Sequence, residues 1–566
     1  MRFVAFVILL FIILIPASIA VAQDVGKTEE ITVVAPYQPS VSEAFKINIS
    51  PRIPDEKLEK PQFQYEIKSK VLKSEPDLEP IVPAQILGES VSKLYKNYIK
   101  AGIGNYATPY LEFFAHKLRS KKNAFGVRFK HHSSLGNIKD YAYPGNSDTR
   151  ISAFGKKFMK YHTLSAEVYY DRKGVHYYGY KPDDFPGIDL SNKDLKQHYN
   201  LVGLSTLLES NYLKDQKVNH SVGLDYYYLA DKQESQEHNI RFKAGLDKNF
   251  GFFSFSDSEK LGIDLSLDYY INADKVHSSA GSGIIGFEPY YNMIFEQYSF
   301  KVGVKTAIRS DTSNKVHVYP VAQVEVKVVQ DHLITYAGID GNLTKNSLKS
   351  FTDENPFIVS VLPQKFTNDK IDQYGGIKGS ISQYLDYNLS FMNSTFDDMP
   401  FFVNDTASLL GEGLNNQFTV VYDKVKYTRV TAEFGFHMKD KFNAMVRGNY
   451  NNYFLDNEDK AWHKPALEIS LLADYNIQDK FLVKGELITR SKMYAKSFTE
   501  NANGGMDVVA EELDGFVDLS LGVEYRYSKI LSGFIDLNNI LGQRYFRWYN
   551  YPSYRFNVLV GVTYSF

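Results

Sequence analysis

Long stretches of this chain alternate between apolar and polar residues with a period of two. Leu261, Ile263, Leu265, Leu267, Tyr269 and Ile271 are interleaved with Gly262, Asp264, Ser266, Asp268 and Tyr270. Leu467, Ile469, Leu471, Ala473 and Tyr475 alternate with Glu468, Ser470 and Asp474, and Val517 to Tyr527 repeats the pattern. Successive side chains of a strand point to opposite faces, so each run predicts a strand with one oily and one polar face. Strands of soluble sheets are usually about 5–6 residues long. These runs reach about 10 or more, the length a tilted strand needs to cross a hydrocarbon layer.

The polar face sharpens the expectation. Asp264 with Asp268, Lys484 with Glu486, and Glu524 with Arg526 stand in mid-strand. An unpaired charge costs several kcal/mol in a dry core and little in a wet lumen. The pattern therefore predicts an all-β fold, a large antiparallel transmembrane β-barrel. Counting alternating segments from Tyr95 gives about 20–22 strands. The connections divide into tight turns, such as Lys214 to Lys217 and Gln478 to Lys480, and longer excursions at Tyr143 to Asp148, Asp183 to Asp194, Asn346 to Gln364 and Lys496 to Asp514. Short turns at one rim and long loops at the other are the usual asymmetry of such barrels. Tyrosine clusters at 169–170, 177–178, 226–228, 269–270 and 290–291 read as girdle residues at headgroup level.

Composition adds a compartment. Arg2 precedes an apolar run from Phe3 to Ile19, and Ala20-Val21-Ala22 supplies a small-x-small cleavage site. Residues 1–22 thus read as a signal peptide of an exported protein. Between Gln23 and Gly88 lie Pro36, Pro39, Pro51, Pro54, Pro61, Pro76, Pro80 and Pro83, out of 20 prolines in the chain. Proline removes backbone donors, so residues 23–90 are expected to form an extended periplasmic or lumenal segment ahead of a barrel at 91–566. The chain has 566 residues, 42 Tyr, 39 Phe, no Cys and a net charge of −2. A near-neutral chain gives no electrostatic case for nucleic acid, and without Cys there are no disulfides or thiolate metal sites.

The C-terminus carries the most specific signal. Phe556, Val558, Val560, Val562, Tyr564 and Phe566 form an unbroken apolar face. Gly561, Tyr564 and Phe566 resemble the signal read by the outer-membrane assembly machinery, although Leu559 stands where that pattern usually has a polar residue. Upstream, Asp536 to Leu541, Tyr545, Tyr551-Pro552 and Arg555 resemble the closing hairpin of TonB-dependent receptors, without the Gly that precedes the Arg in that family. Glu30, Ile31, Thr32, Val33, Val34 and Ala35 look like a TonB box, a short stretch that could pair with an energy transducer by strand addition. The resemblance implies a receptor-like barrel. Only about 65 residues lie between signal and first strand, so no full plug domain of the family's kind fits there. A barrel of this width leaks unless occluded. The Pro-rich segment, inward loops or a partner protein are expected to fill it.

Chemistry is sparse. Gly281-Ser282-Gly283-Ile284-Ile285-Gly286 matches a dinucleotide fingerprint by letter but reads as a loop with no helix after it. His131-His132 and the other histidines show no metal-binding spacing. The expectation is no cofactor and no enzyme. The predicted function is an outer-membrane barrel of receptor or transport type, passing or binding a ligand through lumen and extracellular loops. The alternative is a scaffold barrel in an envelope complex. Expected partners are outer-membrane lipid, the assembly machinery, a TonB-type energy transducer and other envelope proteins.

Overall fold

A computed structural model describes residues 95–566, except 119, 189, 213–216, 255, 278, 406–413, 440 and 501–505. The expected signal peptide, the Pro-rich segment and the TonB-box residues Glu30 to Ala35 lie outside the described residues. The alternating runs form one closed antiparallel barrel of 22 strands, the upper end of the expected range. Each strand pairs with its sequence neighbours, and barrel strands run from 8 residues, as in Asn97–Gly104, to 21 residues in Phe418–Met438. No helix among the described residues is long and apolar enough to cross a membrane.

The period-two pattern sorts the side chains as expected. Leu261, Leu265 and Leu267 are exposed on the outside, as are Val302, Val304, Val316 and Val318 on neighbouring strands. Asp264 and Asp268 line the lumen, and Lys484 and Glu486 line it further round the wall. Inward charges are paired across strands: Arg241 with Asp268 at 2.8 Å, Lys301 with Glu288 at 2.9 Å, Lys305 with Asp340 at 2.8 Å and Lys378 with Glu325 at 2.7 Å. A charged wall of this kind is stable because water and counter-charges solvate it.

Closure joins the first strand, Asn97–Gly104, to the last, Asn557–Ser565, with Ala101 opposite Val562 and Gly102 opposite Gly561. The Phe566 carbonyl accepts hydrogen bonds from the Lys96 and Asn97 amides at 3.1 and 3.0 Å. The closure removes the exposed edge. Tyr564 and Phe566 point outward with rings 5.4 Å apart. Gly561 faces inward instead, under the ring of Phe534, where an added Cβ would stand 2.6 Å from that ring. Leu559, the apparent departure from the assembly pattern, also faces inward and packs on Phe534 and Tyr110.

One expectation is corrected. Residues 281–286 are not a loop but part of strand Ala280–Ile294; a Cβ on Gly281 would meet the Tyr269 hydroxyl at 2.2 Å, so glycine there makes room for that ring. The excursion expected at 496–514 falls in the long connection 491–515, and it carries a two-stranded hairpin of its own, Met493–Glu500 paired with Met506–Leu513. The tyrosine clusters are divided by strand pleat. Tyr226, Tyr228 and Tyr269 face out, whereas Tyr169, Tyr227 and Tyr270 line the lumen.

Candidate functional site: a lumen capped from one rim

Chain direction distinguishes the two ends of the barrel. The rim bearing Asn97 and Phe566 carries only short connections, the longest at 211–218 and the shortest at 383–384. The opposite rim carries the long ones, at 135–145, 177–195, 346–365, 405–417, 456–466, 491–515 and 539–556. Several of these long loops fold inward and build an apolar core inside the mouth. Leu348, Phe351, Ile358 and Leu362 from one loop pack with Trp548 and Tyr551 from another, against Phe402 and Phe418 of the wall. Tyr551 stacks on Phe357 with centroids 3.8 Å apart, and Trp548 meets Phe402 at 5.2 Å and Phe418 at 5.6 Å.

Wall residues pin this cap. The loop 346–365 begins with helix Leu348–Glu354, capped at its start by Ser347 and Ser350. The buried carboxylate of Glu237 accepts the amides of Leu348 at 2.7 Å and Lys349 at 3.1 Å, and the Tyr227 hydroxyl at 2.8 Å. A carboxylate at a helix start satisfies amides that have no partner within the helix and complements the helix dipole. Asp231 does similar work beside it, accepting from Gln197 and from the Ser360 hydroxyl. The Tyr177 and Tyr199 hydroxyls donate to the carbonyls of Ile358 and Pro356 at 2.8 and 3.0 Å. Asn416 donates to the Tyr177 carbonyl at 2.8 Å and accepts from the Tyr551 hydroxyl through its own carbonyl.

His463, in the loop 456–466, holds the centre. Its Nδ1–H donates to the Phe402 carbonyl at 3.1 Å and its Nε2 accepts the Tyr549 amide at 3.3 Å. The ring lies 5.0 Å from Trp548 and 5.4 Å from Phe418. Burial among these groups pushes the imidazole down to about 4, because a charged ring there has no water. The neighbouring Asp423 carboxylate receives the amides of Asn457 and Glu458 at 2.9 and 2.8 Å, tying the same loop to the wall.

Beneath the cap lies a cavity of about 1550 Å³, and beside it a second of about 630 Å³; both are bordered by Lys130 and Asp148. The ceiling of the larger is the helix face with Lys349, Thr352 and Asp353; its walls carry Tyr169, Tyr199, Tyr227 and Tyr270 among charged side chains. The smaller reaches His437 and Asn443, next to the turn 439–441 at the terminal rim. Among the described residues, the loops packed inside the mouth lie over the larger cavity from the loop rim. Inward loops, one of three expected occluders, pack inside the mouth. Among these residues no group of three or more His, Cys, Asp or Glu side chains could hold a metal ion.

No family model and no curated protein matches the sequence. Solved structures do match. The pyoverdine outer membrane receptor FpvA of Pseudomonas aeruginosa superposes with a TM-score of 0.62 at 12% identity, over 84% of this chain and 79% of that one. The siderophore receptor PirA of Acinetobacter baumannii gives 0.61 at 11%, over 84% and 81%. The ferric-catecholate import receptor Fiu of E. coli K12 gives 0.60 at 9%, over 83% and 82%. The chain has the barrel fold of these receptors. The likeness at such identities is one of architecture, and it agrees with the resemblance carried by residues 536–566.

The candidate residues of the sequence separate in space. Gly561 and Tyr564 share the last strand but not one face, Phe566 follows directly after it, and all three lie at the seam, away from the cap. The cap residues Glu237, His463, Trp548 and Tyr551 were not legible as a site. Their one signal is the apolar content of loops that otherwise read as polar: Leu348, Phe351, Ile358, Val359 and Leu362 fall within a single connection.

Proposed function

We propose that this protein is an outer-membrane barrel of the receptor and transport kind, whose charged lumen takes a polar solute and whose inward loops gate it. The observation that supports the reading best is a wide charged lumen overlain at the loop rim by packed, hydrogen-bonded loops. A barrel that served only as a structural wall would need no cavity of about 1550 Å³ under such a cap. On this reading the loop rim faces the exterior and the termini face the periplasm. Residues 1–22 act as the cleaved signal, and Tyr564 and Phe566, exposed at the seam, present the edge that the assembly machinery reads. Residues 23–90 reach into or below the lumen, and Glu30 to Ala35 pair with a TonB-type transducer by strand addition.

The test is planar-bilayer conductance of the mature protein, with and without residues 23–90, alongside site-specific crosslinking from residues 30–35. Expected are a quiet intact barrel, conductance once the cap is disrupted, a larger conductance when residues 23–90 are removed as well, and a crosslink to the transducer. Recovery of stoichiometric envelope partners with no conductance in any form would replace this reading with that of a scaffold.

A further inference from the structure

On the outside of the barrel, at the terminal rim, two histidines meet across an intervening strand. His162 opens strand His162–His176, and His220 lies near the start of strand Asn219–Asp231. Between them runs strand Lys196–Ser210, whose last residue, Ser210, sits opposite His162 and accepts the His220 amide on its hydroxyl at 2.8 Å. Both histidines share the outward face with Leu164, Val168, Val222 and Leu224, all exposed, so they stand where the apolar band ends. Their Nε2 atoms are 3.1 Å apart, and the ring planes are inclined at 48°. Tyr212 closes one side, edge-on to His162 at 5.9 Å and tilted against His220 at 6.0 Å.

Two imidazole nitrogens bound to one ion at about 2.0–2.1 Å stand about 2.9 Å apart at a right angle and about 3.4 Å apart at the tetrahedral angle. The observed separation falls between these limits, and both nitrogens face the same outer space. We propose that His162 and His220 form a two-imidazole site for a late divalent transition ion, completed by water, which clips the first and third of these strands together at the terminal rim. Lys217 stands over the rings of Tyr161 and Tyr212 at 4.8 and 4.7 Å. Its charge opposes a bound cation, which favours Cu²⁺, the tightest binder of the series with nitrogen ligands. The structural alternative for the same geometry is an N–H···N hydrogen bond between neutral rings.

The experiment titrates the mature, tag-free protein in detergent with Cu²⁺ in chelator-stripped buffer and reads binding and electron paramagnetic resonance together. The expected result is one saturable equivalent with two equatorial nitrogens. His162→Ala and His220→Ala should each weaken it at least tenfold and remove one nitrogen from the spectrum, and H162A/H220A should abolish that equivalent. Far-UV circular dichroism confirms that the variants remain folded, and melting with and without Zn²⁺ should show a shift only in the parent protein. Absence of saturable binding in the parent, or an unchanged equivalent and spectrum in the double variant, would overturn the proposal and leave a hydrogen-bonded histidine pair.

Discussion

Single side chains decide how firmly the cap is held, and His463 is one that pH can address. Its Nε2 accepts an amide, so a proton there removes that bond and sets a charge against Tyr549 N–H. The folded-state value, about 4, lies below the ordinary value of 6.5. The unfolded form therefore binds the proton first. The stabilisation is complete above about 6.5 and is lost as pH falls through about 4, up to about 3 kcal/mol in all. Of the two tryptophans of the chain, Trp548 is buried in the cap and Trp462 in a separate cluster with Phe401, Val403, Val425 and Tyr427, so fluorescence of the Trp462→Phe variant reports cap loosening through Trp548 alone. The expected outcome is a fluorescence transition between pH 6 and 4 that His463→Phe removes. Glu237 makes a complementary prediction: Glu237→Ala strands two amides and a hydroxyl, at about 1–3 kcal/mol per buried group left unpaired. Amide exchange in residues 346–354 should quicken while the barrel strands stay protected.

At the scale of elements, the strands were legible and the cap was not, for one physical reason. A strand advertises itself locally, because pleat forces residues two apart onto one face, and the runs at 261–271 and 517–527 carry that signal unaided. An inward loop is defined by partners far away in sequence. Glu237 reaches Leu348 across more than a hundred residues, and Tyr177 reaches Ile358 across more. His162 and His220 meet only because three strands lie in register, so no linear spacing marks them. The closing hairpin shows the intermediate case. Asn539, within the family-like stretch 536–541, donates to the carbonyls of Gln543 and Tyr554 at 2.8 and 2.9 Å and so holds the base of loop 539–556. That base positions Trp548 and Tyr551. Truncating either ring to alanine removes a large buried side chain, which costs about 3–5 kcal/mol where the surroundings cannot collapse. The expected result is faster hydrogen exchange across 346–365, 456–466 and 539–556 with an unchanged melting temperature of the barrel.

For the whole molecule, the question is what separates a water-filled lumen from the space beyond the loop rim. A closed barrel of 22 strands encloses far more section than its wall side chains fill, and the charged wall keeps that interior wet. The seal is then an apolar plate of loop residues held at the mouth by buried carboxylates, hydroxyls and one imidazole. Such a plate is the only described barrier, so removing its central loop should be sufficient to open the mouth. Replacing residues 349–361 with a short Gly-Ser linker retains Lys345 and Gln364, whose contact at 2.7 Å anchors the loop base, and leaves every barrel strand intact. In a bilayer this variant should pass ions in discrete steps severalfold larger than any the parent shows. Single substitutions at Glu237 should give the same steps only transiently, because the rest of the plate stays pinned. If the loop-replaced barrel remained silent while folded and heat-resistant, the plate of loops would not be the seal, and gating would not belong to it.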